Sequence, residues 1–541
     1  MATRSTAAVA AVALVLLAFS PATSVSAQQV PVVQLRVQEP ARGALDPDLV
    51  GFNWRAGGEA VAPLRPGLVR SFAVRLARIS PSPDVVDFTA ADAELDAVEA
   101  TGATPLAVLI ERPPWDPGAG SPGYERVVEA VIRHYLVQRP AAGHLPVWFE
   151  SGNEPEFPPT AHGQLPQDLA ADVAAQVRAL VRVESDTGLS ATYGGPGALF
   201  ADAVLAAMFV AAARGAGRVP DFVSWHTYSN APMLGPDGPE DRSSPAALAA
   251  WEALHGTNPA ASPVVLGAGI DVMRATIEAL MLPGERPPAL IITEWNLSPG
   301  GFDHRNDTHV GAAHTVAALI EMQAHGLDGA TFFAAVDRHC ANPDVNPSGA
   351  TFCGDWGTAS AVGERKPVWH AFELWQAMTG PTRALDGADP AAGLWALATD
   401  DPATSTMRVL AASFSVSLPT DRRLRIEVSS ADGERSAQLR RIDAGHPDGA
   451  WEPTQALAAG SRVIEVDLPA NSVVLVEVAA ASPTPRSPDG AGDTTRLGEP
   501  ATSRGLPATG ASRWPASVGA LALAAFVASR RLLHRSRRAR G

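Results

Sequence analysis

The sequence predicts an α/β fold, a (β/α)8 TIM barrel followed by an accessory β-sandwich. Three observations carry this expectation. Short apolar runs alternate with Ala-rich amphipathic stretches over most of the chain. Near Thr379 the alternation stops, and short strand-like runs then follow one another with little helical pattern. Two of the earlier apolar runs end abruptly in a glutamate among polar residues, as happens where parallel strands open onto one face of a barrel.

The strand candidates are residues 50–54, 68–76, 105–110, 147–151, 191–194, 222–226, 289–293 and 330–336. Between them lie helical patterns, for example at 90–100, 124–137, 168–183 and 308–325. Strands separated by helices imply crossovers and a parallel sheet. Eight such units over roughly 330 residues suit a closed barrel. An open, doubly wound sheet has the same periodicity, because alternation alone does not close a barrel. Beyond Thr379, runs at 395–398, 407–415, 424–429, 438–442, 463–468 and 472–478 are separated by turn signals such as Asp432-Gly433 and Pro447-Asp448-Gly449. The expected division is a barrel over 28–379 and a sandwich over 380–481, with an early strand at 32–37 joining the sandwich.

Composition sets the outer bounds. At 541 residues, with 46% hydrophobic and 18% charged, the chain is globular and large enough for one big domain and a smaller one. A net charge of −15 argues against a nucleic-acid partner, which calls for a basic face. Lys366 is the only lysine. The two cysteines, Cys340 and Cys353, are expected to form a disulfide across a short loop. Two cysteines alone make a poor metal site, and there is no CxxC or HExxH pattern. No metal or organic cofactor is called for.

Both ends carry export signals. Arg4, an apolar run at 7–19 and Val25-Ser26-Ala27 before Gln28 predict a signal peptide over 1–27. The alternative, an uncleaved anchor, is disfavoured by the short run and the small-residue exit. Residues 482–505 are rich in Pro, Gly, Ser, Thr and Asp and read as a solvated spacer. Then come Leu506-Pro507-Ala508-Thr509-Gly510, an apolar stretch at 515–529 and an Arg-rich tail at 530–540. This order resembles the LPXTG-type sorting signal of Gram-positive surface proteins, here over 506–541. The resemblance implies cleavage between Thr509 and Gly510 by a sortase and attachment to cell-wall peptidoglycan. The membrane is then met only transiently, with the arginines holding the tail on the cytoplasmic side. A plain tail anchor is the alternative.

The chemistry sits in two segments. Residues 147–156 run from an apolar strand into Glu150-Ser151-Gly152-Asn153-Glu154-Pro155-Glu156, and residues 290–296 run into Thr293-Glu294-Trp295-Asn296. A glutamate placed directly after buried strand residues is costly unless its charge is used. Two such carboxyl groups at one barrel mouth suit glycoside hydrolysis, where one gives a proton to the leaving oxygen and the other attacks the anomeric carbon.

With Asn153-Glu154-Pro155 after the fourth strand and Glu294 after the seventh, the chain resembles clan A of the glycoside hydrolases. It is most similar there to family 39 and neighbouring retaining families, over roughly residues 50–379. The resemblance implies Glu154 as acid/base, Glu294 as nucleophile and Asn153 bonded to the sugar 2-hydroxyl. It implies a carbohydrate substrate cleaved by double displacement. Ser224-Trp225-His226-Thr227-Tyr228 resembles the sixth-strand motif, in which Tyr228 orients the nucleophile and His226 lines the sugar site. Lys366-Pro367-Val368-Trp369-His370-Ala371-Phe372 resembles the start of the helix after strand eight. An arginine near strand two is expected from Arg70, Arg75 or Arg78, with Arg70 favoured. Where the family often presents a Trp after strand eight, this chain has Phe332-Phe333-Ala334-Ala335.

Each residue has a plainer reading beside the functional one. Asn-Glu-Pro is also a turn signal, and Glu294 alone could serve a structural ion pair. Glu150 and Glu156 flank Glu154 and are read as non-catalytic. Trp54, Trp115, Trp148 and Trp295 are candidates for stacking on sugars, Trp115 first, although barrels also use Trp as core. Residues 118–123 match GxGxxG formally but are read as an active-site loop, crowded by prolines. A transglycosylase, a catalytically silent carbohydrate-binding surface protein and an inverting enzyme are the competing functional readings.

Overall fold

A computed structural model describes residues 30–157, 165–229, 262–299, 303–340, 342, 346, 349–416, 418–428, 435–457 and 462–480. The expected signal peptide, spacer and sorting signal, with Thr509 and Gly510, lie outside the described residues, as does the Asp432-Gly433 turn.

The first strand, β1 (Val32–Ala44), belongs to the C-terminal sheet and not to the barrel. The barrel follows as β2 (Gly51–Asn53), β3 (Leu68–Ser71), β4 (Thr104–Leu109), β5 (Trp148–Ser151), β6 (Tyr193–Ala198), β7 (Phe222–Tyr228), β8 (Ala289–Asn296) and β9 (Gly329–Phe332). Each strand pairs in parallel with the next, and β9 returns to β2 through Phe332 and Phe52. The expected eight-stranded barrel is therefore closed.

Around it stand helices α1 (Thr89–Glu99), α2 (Pro122–Arg133), α3 (Pro166–Thr187), α4 (Ala203–Gly215), α5 (Val264–Leu280), α6 (His309–Ala324) and α7 (Pro367–Ala377). Their starts are written locally. Ser121, Asp202 and Thr308 accept backbone N–H groups of the first turns of α2, α4 and α6. Pro122, Pro166 and Pro367 stand where a missing N–H costs nothing. The 118–123 segment is the turn into α2, with the Gly120 N–H bonded to Asp172 on α3.

Inside the barrel the strand period of two stacks side chains in layers. Leu68, Leu106, Phe222 and Ile291 form an apolar floor. Two residues further along these strands, and beside Trp148 on β5, come Arg70, Val108, Glu150, Ser224 and Thr293, all fully buried. The barrel thus changes from an oily base to a polar layer just below its mouth.

The C-terminal unit adds β10 (Pro381–Asp386), β11 (Leu394–Asp401), β12 (Thr406–Ser413), β13 (Arg422–Glu427), β14 (Arg435–Ile442), β15 (Gln455–Leu457), β16 (Val463–Leu468) and β17 (Ser472–Ala480). With β1 they form one nine-stranded sheet, in which β1 sits between β10 and β13. Residues Leu35, Val409, Leu424, Leu439, Val466 and Val476 share its apolar core, as a sandwich requires. β13 and β16 alternate buried and exposed residues cleanly, having one face on that core.

Helix α6 is buried on nearly every side because it lies between barrel and sandwich, touching β11, β12 and β17. Its His314 packs against Trp295 of the barrel and Phe414 beyond β12, and its Nε2 lies 2.7 Å from Ser229 Oγ. Trp395 of β11 donates to Glu321 at 2.9 Å. The Cys340–Cys353 disulfide is formed and closes the loop after β9. Lys366 supports that loop from beneath, with Nζ 2.6 Å from Asp307, 2.7 Å from Asp337 and 2.9 Å from the Asp355 carbonyl.

Burial lowers the His314 pKa from 6.5 to about 3, with Arg305 adding to the effect. The folded pKa lies below the unfolded one, so this contribution to stability is complete above pH 6.5 and is lost as pH falls toward about 3. Within that window the loss is about 1.4 kcal/mol per pH unit. Denaturant unfolding across this range should show that slope, and His314→Gln should flatten it while keeping a polar partner for Ser229. An unchanged slope in the variant would assign the acid sensitivity to other groups.

Candidate active site

The centre of the site is Arg70, which rises from β3 into the barrel interior and has no exposed surface. Its Nε meets Glu150 at 2.5 Å and its Nη1 meets Glu294 at 2.6 Å and Asn53 at 3.1 Å. Nη2 bonds Asn153 Oδ1 at 2.8 Å. Burial works against the guanidinium charge, but Glu150 and Glu294 more than reverse that and push its pKa up. The Arg70 fork thus fixes one carboxylate below it, one at the mouth, and the Asn beside Glu154.

Glu150 is spent on this structure. Its Oε1 accepts from Ser224 at 2.6 Å and from Thr293 at 2.7 Å, while Oε2 takes Arg70. Glu294 is held differently, with Oε1 on Arg70 and Oε2 accepting the Tyr228 hydroxyl at 2.8 Å. Burial, Glu294 and Glu154 push the Tyr228 pKa well above the usual phenol range, so it stays a proton donor.

Glu154 leaves β5 through a tight turn in which its own φ is +45°. Its N–H bonds the Gly197 carbonyl at 2.7 Å. Gly197 has φ of +58°, and a Cβ there would stand 3.2 Å from the Gly152 carbonyl and 3.3 Å from Glu150, so glycine suits both the conformation and the space. His226 Nδ1 lies 3.0 Å from Glu154 Oε1 and 3.6 Å from Glu294 Oε2. One atom from each of Glu154, His226 and Glu294 falls within 4.8 Å of the others. Such a trio resembles a metal set, but both Glu294 oxygens already take donors, and a cation would sit against the Arg70 charge. The donor set suits a pair of working carboxyl groups better.

A bulge in β8 makes this geometry. Trp225 pairs with Ile292 and His226 with Glu294, so Thr293 is an extra residue against β7. Against β9, Ile292 pairs with Ala330 and Trp295 with Phe332, which gives the same surplus. Thr293 and Glu294 therefore both point into the barrel, one to Glu150 and one to Arg70. An unbroken alternation would send Glu294 outward.

The same bulge corrects one expectation. Trp295 does not line the candidate site: it is fully buried, edge-on to Phe332 at 5.0 Å and beside Phe372 and His314 in the helical shell. Trp115, the favoured stacking candidate, packs outward too. Its indole N–H donates to the Ser80 carbonyl at 3.0 Å, and Arg126 lies over its ring. Trp148 stacks with Phe222 at the closed end of the barrel. Trp54 lines a neighbouring pocket. Among the three arginines weighed, Arg70 reaches Glu150 and Glu294, whereas Arg75 pairs with Glu111. Glu156 accepts the Leu199 N–H with both oxygens and closes its own loop.

Sequence reasoning missed Asn53, Ser224, Thr293, Arg55 and Trp356. Asn53 donates to the Thr293 carbonyl at 2.9 Å while accepting from Arg70, which ties β2 to β8. Phe333 packs edge-on to Tyr228 at 6.4 Å, and Trp356 closes on Phe333 at 5.2 Å from the disulfide-bridged loop. An aromatic wall after the eighth barrel strand thus exists, built from a Phe and a distant Trp.

No protein-family model matches the chain, and no curated relative matches it. Solved structures do match in fold. A glucosidase from Croceicoccus marinus is 20% identical, covering 83% of this chain and 100% of its own, with TM-score 0.61. A monomeric beta-xylosidase from Caulobacter crescentus CB15 is 20% identical, covering 84% of this chain and 100% of its own, with TM-score 0.63. The GH39 enzyme from Xanthomonas axonopodis pv. citri is 19% identical, covering 84% of this chain and 98% of its own, with TM-score 0.62. At these identities the likeness is one of barrel and sandwich together.

Proposed function

We propose that the chain is a retaining glycoside hydrolase of extracellular glycans or oligosaccharides. The observation that carries this reading is the spacing of two strand-end carboxyl groups. Oxygens of Glu154 and Glu294 come within 4.8 Å, which suits the about 5–5.5 Å of retaining enzymes better than the about 6.5–9.5 Å of inverting ones. The glucosidase and xylosidase that share the fold support the same class.

In this reading Glu294 attacks the anomeric carbon. As its new C–O bond forms, the glycosidic bond breaks and the Glu154 proton passes to the leaving oxygen. Glu154 then takes a proton from water, whose oxygen displaces Glu294 and releases the sugar with its configuration retained. Arg70 and Tyr228 keep Glu294 aimed through both steps, and His226 holds Glu154 within reach. Asn153, fixed by Arg70, faces the sugar. A catalytically silent binding protein would have no use for a carboxylate held by two donors beside a second carboxyl.

The same proposal covers location. Residues 1–27 direct export, and a sortase joins Thr509 to the cell wall. The last strand, β17, ends at Ala480, so the spacer at 482–505 begins where the sandwich stops.

Four outcomes are expected. Glu294→Gln should reduce hydrolysis of aryl glycosides to background, and Glu154→Gln should slow it about 10²–10⁴-fold; wild-type rates in Glu294→Gln would sink the mechanism. Proton NMR of the first product should show the substrate's anomeric configuration, and an inverted product would replace the scheme with single displacement. Tyr228→Phe should lower kcat about tenfold to a hundredfold, the worth of one hydrogen bond to a charged group. In a Gram-positive host, removing residues 506–541 should move the protein from the wall fraction to the medium, and continued wall attachment would reject the sorting reading.

A further inference from the structure

Beside the glutamates, at the mouth of the barrel, is a pocket of about 520 Å³. Segments after β2, β3 and β9, together with helix α1, supply its lining, including Trp54, Arg55, Phe72, Arg75, Arg78 and Arg338. Four arginines face this one pocket, in a chain of net charge −15.

Their partners divide them. Arg75 is matched by Glu111 at 2.8 Å. The side chains of Arg55, Arg78 and Arg338 have no ion pair or hydrogen bond among the described residues. The acidic residues of the lining are engaged elsewhere. Asp337 is matched by Lys366 at 2.7 Å, Glu94 accepts from Ser71, and Asp87 accepts the Thr89 N–H at the start of α1. The pocket thus holds three arginines without a bonded carboxylate, against Asp87 and Glu94, whose donors are uncharged.

Arg55 carries the argument. Its guanidinium lies over the Phe333 ring at 4.8 Å. Phe333 in turn packs on Tyr228, whose hydroxyl holds Glu294. Burial pulls the Arg55 pKa down, Glu294 opposes this, and the neighbouring Arg338 pulls it down further. Two guanidinium groups lining one pocket, with no carboxylate bonded to either among the described residues, form a costly arrangement in the free protein. An anion placed between them reverses the cost.

Resting on the glycosidase reading, we propose that this pocket receives an anionic substituent of the sugar, a carboxylate or a sulfate ester, held by Arg55 and Arg338. The substrate class is then an acidic glycan, and the arginine pair selects it over neutral sugars. Planar guanidinium forks suit either oxyanion.

The test reads binding rather than turnover. Calorimetry on the Glu294→Gln protein would compare 4-nitrophenyl glucoside with the matching glucuronide and 6-sulfoglucoside, in both anomeric forms. At least one charged ligand should bind about tenfold or more tightly than its neutral partner, with a preference that shrinks as salt is raised. Arg55→Gln and Arg338→Gln should each cut that charged-to-neutral ratio about tenfold or more, and Arg55→Lys should restore part of it. The carboxylate and sulfate arms identify the oxyanion. Equal binding of charged and neutral ligands, or equal weakening of both by the arginine variants, would overturn the proposal. Charge preference in a protein whose native form cleaves no glycoside would reject the glycosidase reading and leave the anion site. Cleavage of neutral glycosides without charge preference would do the reverse.

Discussion

The site depends on one buried cation. Arg70 lies inside the barrel with a carboxylate below it and another above, and it also reaches Asn53 and Asn153. A buried ion pair is tolerable when its remaining donors and acceptors are satisfied, and costly when one partner is removed. Ser224 and Thr293 complete Glu150, Tyr228 completes Glu294, and so the polar layer is closed on itself. The apolar floor of Leu68, Leu106, Phe222 and Ile291 keeps water from approaching this layer from beneath. Glu294 therefore stands at the mouth with its direction already set by Arg70 and Tyr228, which is what preorganisation would ask of it in the proposed role of nucleophile.

The fold was legible because its signals are periodic and repeated: runs of period two, helical patterns between them and a change of pattern near Thr379. The two strand-end glutamates were legible for a different reason, since each interrupts an apolar strand at the end that a parallel barrel exposes. What could not be read was parity. In β8, Ile291 and Thr293 face inward, and strict alternation would carry Trp295 inward after them. The extra residue in β8 reverses this, so Glu294 enters the site and Trp295 enters the shell. A bulge of one residue has no composition of its own, and its effect is seen only against the neighbouring strands. Asn53, Ser224 and Thr293 escaped notice because each is ordinary in sequence and acquires its role only by meeting Arg70 or Glu150 in the barrel.

Support for the site extends outward from the mouth. Tyr228 is followed by Ser229, which contacts His314, and His314 packs on Phe414 at the edge of the sandwich. The sandwich thereby braces, through α6, the strand end that orients Glu294. On the other side, Lys366 draws Asp307 and Asp337 together under the loop that delivers Trp356 to Phe333. In a chain whose other basic residues are all arginine, this buried position takes the lone lysine. A compact ammonium can meet three acceptors around a point, whereas a planar fork directs its donors within one plane.

Arg70 and Arg55 show how a buried charge can be assigned a purpose from its partners. Both are cations near Glu294, and both are drawn from water by the barrel mouth. Arg70 meets carboxylates at 2.5 and 2.6 Å, and its charge is strengthened by its surroundings. Arg55 lies over an aromatic ring and shares its pocket with Arg338, and burial lowers its pKa. The first arrangement is complete in the protein alone and explains itself as structure. The second has no bonded carboxylate among the described residues, and the glutamate it faces is already committed to Arg70 and Tyr228. Under the proposal above, the pocket lined by Arg55 and Arg338, rather than the glutamates themselves, is therefore where an acidic glycan is told from a neutral one.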